Sequence, residues 1–243
     1  ILGALSLISG LFGSERGVGN MNTYEVTGDI SSLKIDVGAA DFVILSGDAF
    51  RVESNLDRLV VEEKDGLLRI SEQSSFWTFH YSGAKLALYI PADMVFEKVT
   101  FNSGAGKVTI EQLTAQEIDF DLGAGAVDIG NLTAFHKADI DGGAGSMILH
   151  SGQLNQLDFD MGVGEVRLTC AFSGSSTLNF GVGASTINLV GSREDYRINV
   201  HKGLGEVRVD GEKVSDGSVI GEGNNRLRVD GGIGEIEINF ITE

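Results

Sequence analysis

Six aspartates stand in three pairs: Asp119 and Asp121, Asp139 and Asp141, Asp158 and Asp160. Each pair brackets an apolar residue, Phe120, Ile140 or Phe159. Side chains alternate across an extended chain, so an inward apolar residue sends both of its neighbours outward. Stacked as paired strands, the three segments would form a grid of carboxylates, ~7 Å apart along a strand and ~4.8 Å apart between strands. Like charges held so close destabilise a sheet unless solvent, protons, hydrogen bonds or a cation offset them. Hard divalent cations favour oxygen ligands, and calcium tolerates irregular geometry. The pattern therefore predicts a weak surface calcium site, bridging either Asp121, Asp141 and Asp160 or the parallel row Asp119, Asp139 and Asp158. A flat face offers no cage, so its affinity would be no better than about millimolar. The plainer reading is a solvated acidic face near a chain corner. Thr100 and Asn102 before the grid, and Thr177 and Asn179 after it, dilute the charge.

Other candidate chemistry is sparse. A Gly-x-Gly recurs through the chain, but phosphate-binding loops need a helix after the glycines, and here strand-like runs follow. Calcium-binding β-rolls repeat every nine residues with aspartate after the glycines; this repeat is longer, with aspartate before them. His80, His136, His150 and His201 are scattered, and none pairs at ligand spacing with another histidine or with Cys170. Cys170 falls in phase with the apolar positions and reads as a buried, inert thiol. No nucleophile elbow is present. A polysaccharide-cleaving enzyme would need carboxylates in a groove lined by aromatic and basic groups; few aromatics and no basic companions are expected within the regular repeats. No catalytic or cofactor-binding residue is assigned.

What must position the grid is a repeat. Apolar-alternating runs flank glycine pairs at Gly104 and Gly106, Gly123 and Gly125, Gly143 and Gly145, Gly162 and Gly164, Gly181 and Gly183, Gly203 and Gly205, and Gly232 and Gly234. First glycines are separated by 19, 20, 19, 19, 22 and 29 residues, with a weaker copy at Gly38. Three residues before the first glycine stand Ile35, Phe101, Phe120, Ile140, Phe159, Leu178, Val200 and Val229. Four after it stand Phe42, Val108, Val127, Met147, Val166, Val207 and Ile236, with Ser185 the exception; six after it the residue is always Ile, Leu or Val. These columns predict one inward face. Glycine takes φ > 0 at little steric cost, so each Gly-x-Gly can turn the chain. One repeat cannot bury its apolar face alone, whereas a stack can. The expected fold is all-β: a single-stranded parallel β-solenoid with rungs of 19–20 residues and Gly-x-Gly corners.

Residues 1–23 read as an apolar segment and linker. Ile1 to Phe12 is too short to span a bilayer, which takes ~20 apolar residues; it reads as the remnant of a membrane anchor or as a cap. Residues 24–243 read as one solenoid domain. Within it, Phe50–Ser54, Leu59–Glu63, Leu67–Ser71 and Lys85–Ile90 look like strands, and Lys64-Asp65-Gly66 is a hairpin signal. Pro91 ends the last of these or sits on an edge. Ser74 to Ser82, with Trp77, Phe76, Phe79 and Tyr81, would fill a corner or form a contact patch. Longer loops at Gly191–Tyr196 and Asp210–Asn225 account for the wider gaps, and Leu227–Ile241 reads as the last rung. No substantial helix is expected after residue 13.

The run GSREDYRINVHKGLGEVRVDGEK, Gly191 to Lys213, and the recurring D-x-G-x-G-x-V phrases resemble a bacterial family of adhesin-like, toastrack-type β-helices of unknown function. The resemblance covers roughly residues 24 to 241. It implies a cell-envelope protein, standing outside the cytoplasm behind a membrane anchor, and it brings no catalytic residues.

Composition narrows the partners. With 35 acidic against 18 basic residues the net charge is −17, which repels nucleic acid and anionic lipid. Membrane contact is expected only through the N-terminal segment. One cysteine excludes an intrachain disulfide. The expected role is non-enzymatic: a scaffold, sensing or interaction module of the envelope, with a protein partner. The alternative is a surface adhesin or carbohydrate-binding β-helix, with a glycan partner. No cofactor beyond weakly held calcium is expected.

Overall fold

Period-two alternation runs through most of this chain, and it yields strand almost throughout. The computed structural model describes residues 19–73 and 83–242. The expectations for Ile1–Phe12 and for the aromatic run Ser74–Ser82 lie outside these residues. The strands are β1 (Asn22–Glu25), β2 (Ser32–Ala39), β3 (Asp41–Gly47), β4 (Arg51–Ser54), β5 (Leu59–Lys64), β6 (Leu67–Glu72) and β7 (Lys85–Pro91). Then come β8 (Phe96–Asn155), β9 (Leu157–Ser173), β10 (Ser175–Val190), β11 (Tyr196–Lys202), β12 (Glu206–Val209), β13 (Glu212–Lys213), β14 (Val219–Ile220) and β15 (Asn225–Ile241). A single 3-10 turn, Arg193–Asp195, is the only helical element among the described residues. The fold is all-β.

Repeats lie in parallel register where the pattern is regular. Asp139 pairs with Asp158, and Asp158 with Thr177, a step of one repeat each time. β2 and β3 lie parallel against the start of β8, Ile35 opposite Phe101 and Phe42 opposite Val108. The sheet as a whole, however, is mixed. β5 and β6 form an antiparallel hairpin over β2, while β4 runs antiparallel to β7 and β1 to β4. At the other end β14 is antiparallel to β11 and β13 to β12. The expectation of a purely parallel arrangement is corrected accordingly. Short antiparallel strands occupy both ends, where a long parallel edge would otherwise stay open to another chain.

Spatial order departs from chain order at both ends. At the first, β2 and β3 lie between β6 and β7 on one side and the start of β8 on the other. At the second, β15 does not close the stack, as Leu227–Ile241 was expected to. It lies parallel between β10 on one side and β11 and β12 on the other, with Leu178 and Val200 both opposite Val229.

The predicted inward columns are the core. All eight residues of the first column are at most 3% exposed, and Ser185 is buried in its column like its apolar neighbours. One contiguous cluster runs from Val26 to Ile238; a small second cluster joins Val43, Ala87 and Tyr89. Aromatic rings meet through the stack: Phe42 and Phe101 at 4.9 Å, Phe101 and Phe120 at 5.8 Å, Phe159 and Phe180 at 5.7 Å between centroids. Further inward positions, Leu113, Ala115, Leu132, Ala134, Leu154 and Phe172, line the return run that closes each repeat. Their spacing from the corner glycines is irregular, so they stand outside the predicted columns.

The hairpin of β5 and β6 follows the turn signal. Asp65 and Gly66 both take positive φ, 50° and 79°, and Lys64 pairs with Leu67. The Gly-x-Gly corners differ from expectation in one respect. They bend the strand without interrupting it, so β8 runs for 60 residues through three of them. Only the second glycine of a pair takes positive φ, as at Gly125 (151°) and Gly145 (138°). The first is needed for close approach: a Cβ on Gly143 would sit 2.3 Å from the carbonyl oxygen of Gly123.

Candidate functional site

Buried Phe120, Ile140 and Phe159 fix the direction of the residues beside them, and the six aspartates emerge on one face as predicted. Asp139 stands directly opposite Asp158, and Asp141 opposite Asp160. Partial burial first, and then the carboxylates of Asp139, Asp160, Asp121 and Asp158, push the pKa of Asp141 up. The same causes, burial first and then Asp139 and Asp160, raise that of Asp158, against an opposing pull from Lys137.

The two rows are not equivalent. Lys137 Nζ is 2.9 Å from Asp139 Oδ2, and Lys98 Nζ is 3.7 Å from Asp119 and 4.0 Å from Glu117. The bond to Asp139 raises the pKa of Lys137, with smaller contributions from Asp158 and Asp119. Basic companions thus stand within the regular repeats, contrary to expectation. They lie two residues outside the grid and two repeats apart, in alternate copies. The row Asp121, Asp141 and Asp160 has no lysine against it. No group of three or more His, Cys, Asp or Glu among the described residues is arranged to hold a metal ion.

The remaining candidates are dispersed. His150 Nε2 meets Asp128 at 3.0 Å on the exposed surface. His136 is exposed, and His201 stands opposite Asp230 on β11, separated from the grid by β10 and β15. His80 lies outside the described residues. Cys170 is fully buried, and burial pushes its thiol far above the ordinary range, so it stays protonated and inert.

A carboxyl whose folded pKa lies above its unfolded value stabilises the fold below the unfolded value. That contribution is lost as pH rises through the folded pKa. The raised Asp141 and Asp158 therefore make the protein less stable as pH climbs out of the usual aspartate range. Asp141→Asn should remove part of this slope and stabilise the fold at neutral pH, by at most ~1 kcal/mol for relief of a cross-strand like-charge contact. Urea titrations at pH 4 and pH 7 would measure it; an unchanged slope would show that Asp141 is fully relieved by solvent.

Residues 51–239 match the model of the Toastrack DUF4097 family. The chain belongs to that family. Among solved structures similar to this toastrack chain is a "putative adhesin" from Parabacteroides distasonis, at 16% identity and a TM-score of 0.48, covering 91% of this chain and 98% of that one. Another "putative adhesin", from Bacteroides fragilis, has 15% identity and a TM-score of 0.42 and covers 90% and 96%. A "putative lipid binding protein", also from Parabacteroides distasonis, has 18% identity and a TM-score of 0.37 and covers 93% and 98%. No curated protein matches the sequence.

Proposed function

We propose that residues 24–243 form one toastrack domain, a β-solenoid of 19–20-residue rungs with its ends covered by antiparallel strands, serving as a non-enzymatic interaction module of the bacterial cell envelope. The observation that carries this reading is the regular outward face. Registered columns of polar side chains repeat along a rigid stack, while the titratable groups that could do covalent chemistry are dispersed or inert. Such a face recognises an extended partner by matched spacing. Family membership supports a place outside the cytoplasm, and the apolar N-terminal segment, Ile1 to Phe12, is proposed to contribute to a membrane anchor. Pull-down from envelope extracts with the immobilised domain should capture a protein partner in this reading. Specific binding on a glycan array, with no protein captured, would replace it by the carbohydrate-binding alternative.

The lysine-free row narrows the calcium proposal to Asp121, Asp141 and Asp160, with about millimolar affinity. Ligand bound to the native state alone raises Tm with concentration. Calcium should therefore raise Tm beyond sodium chloride at matched ionic strength, and Asp141→Asn should abolish the excess. Equal shifts from the two salts would reduce the row to a screened acidic face.

A further inference from the structure

At the end of the lysine-free row the outer face dips. Asp160, Asn179 and Asp230 stand side by side on β9, β10 and β15, and Met161, Phe180 and Gly231 follow them in the same register. With the glycines next in sequence they line an open hollow of about 410 Å³. Its polar side is the three outward side chains. Its apolar side is the nearly buried Met161 and Phe180 with bare glycine backbone. Val163 and Val182, next along the chain, are half exposed beside it. Concave sites for ligands combine a mainly apolar lining with a few polar groups in this way.

The polar groups are unequally engaged. Asp230 is held through both oxygens by Arg228. Beyond it Lys202 stands opposite Gly231, and His201 opposite Asp230. The side chains of Asp160 and Asn179 have no hydrogen bond or ion pair among the described residues. Asp160 stands opposite Asp141 and two residues from Asp158, and its charge helps to raise the pKa of both. Lys98 and Lys137 answer Asp119 and Asp139 instead. One carboxylate is thus left without a cation where the surface also has room for one.

Resting on the reading of the domain as an interaction module with a protein partner, we infer that the hollow receives an arginine side chain of that partner. A cation at Asp160 relieves its like-charge contacts with Asp141 and Asp158. A planar guanidinium can donate to the Asp160 carboxylate and to the Asn179 amide oxygen one strand away, at ~4.8 Å spacing; an ammonium is a single point charge. The aliphatic stem lies along Met161, Phe180 and the two valines, as the stems of long basic side chains do on apolar surface. Lys202 opposes the reverse orientation, with the guanidinium towards Asp230. Arginine seated in a pocket is a frequent anchor of protein interfaces.

Nα-acetyl-arginine amide is the probe, titrated into isotopically labelled protein in EDTA, which keeps calcium off the same carboxylate. Saturable NMR shifts should centre on the Asn179 side-chain amide and the backbone amides of Gly162 and Gly181. A ligand of about 15 non-hydrogen atoms at ordinary efficiency binds at about millimolar affinity. Nα-acetyl-citrulline amide keeps the stem and shape without the charge and should bind at least ~10-fold more weakly. Asp160→Asn should weaken the arginine probe as much, and asparagine fits this column, which already holds Asn102 and Asn179. Asp119→Asn, in the other row, should change the affinity no more than ~2-fold, because exposed charges at that distance are screened. Absence of saturable shifts, equal binding of the two probes, binding that survives Asp160→Asn, or an equal loss in Asp119→Asn would each overturn the inference. Pull-down separates it from the reading beneath it. A protein captured equally well by the Asp160→Asn domain would keep the module and sink the arginine site, whereas probe binding with no protein captured would keep a guanidinium site and sink the protein-partner reading.

Discussion

Gly145→Ala should destabilise the fold by at least ~3 kcal/mol, from a strained backbone conformation and a contact that cannot relax. The added Cβ would stand 1.8 Å from the Gly125 carbonyl oxygen, and the φ of +138° is one that L side chains rarely adopt. The atom it strikes is backbone, held by the neighbouring repeat, which in turn rests on Gly106. Chemical denaturation would show a large fall in midpoint. Ala126→Ser, one residue past Gly125 in the neighbouring repeat and exposed, should stay within ~0.5 kcal/mol. If the two variants melt alike, the repeats are not in the close register described.

Phe120→Ala and Phe159→Ala should each cost ~3–5 kcal/mol, the range for truncating a buried aromatic side chain. Both rings are essentially inaccessible, and each packs against another ring, Phe120 edge-on to Phe101 and Phe159 tilted against Phe180. Changes at Thr109 and Arg167, which alternate outward beside buried residues, should lie within ~0.5 kcal/mol. Equilibrium unfolding of the four variants separates these sets; comparable losses in both would mean that inward and outward positions are confused.

Much of this architecture could be read from residue order alone. Alternation about each glycine pair identified the inward columns, because a period of two leaves no freedom in which side chain faces the core once one is fixed. The hairpin at Lys64-Asp65-Gly66 was legible for a local reason: few residues accept two successive positive φ values, and Asp-Gly is a pair that does. Strand direction was not legible, since the same alternation serves parallel and antiparallel partners; β4 and β14 could have paired either way. The placement of β15 was hidden for a related reason. Val229 and Ile236 fill the same columns as Leu178, Val200 and Val207, so each copy fits beside every other, and the lengths of the connecting loops decide which neighbours meet. The acidic grid was visible, but its inequality was not. Lys98 reaches across one repeat to Asp119, which only the stacking reveals, while Lys137 bonds Asp139 two residues along its own strand.

The threading of β15 also sets an order of events during synthesis. Residues 196–213 leave the ribosome before residues 225–241, yet their parallel neighbour is β15. Until that segment emerges, β10 presents an open edge and the stretch after it has nothing to lie against. The far end of the molecule therefore cannot mature repeat by repeat in step with translation or export. Its native pairing is complete only when the final segment, Asn225–Ile241, lies between β10 on one side and β11 and β12 on the other. A break that removed the chain beyond residues 214–224, the connection that carries β14, would thus cost an internal layer and leave the outermost one without its parallel neighbour.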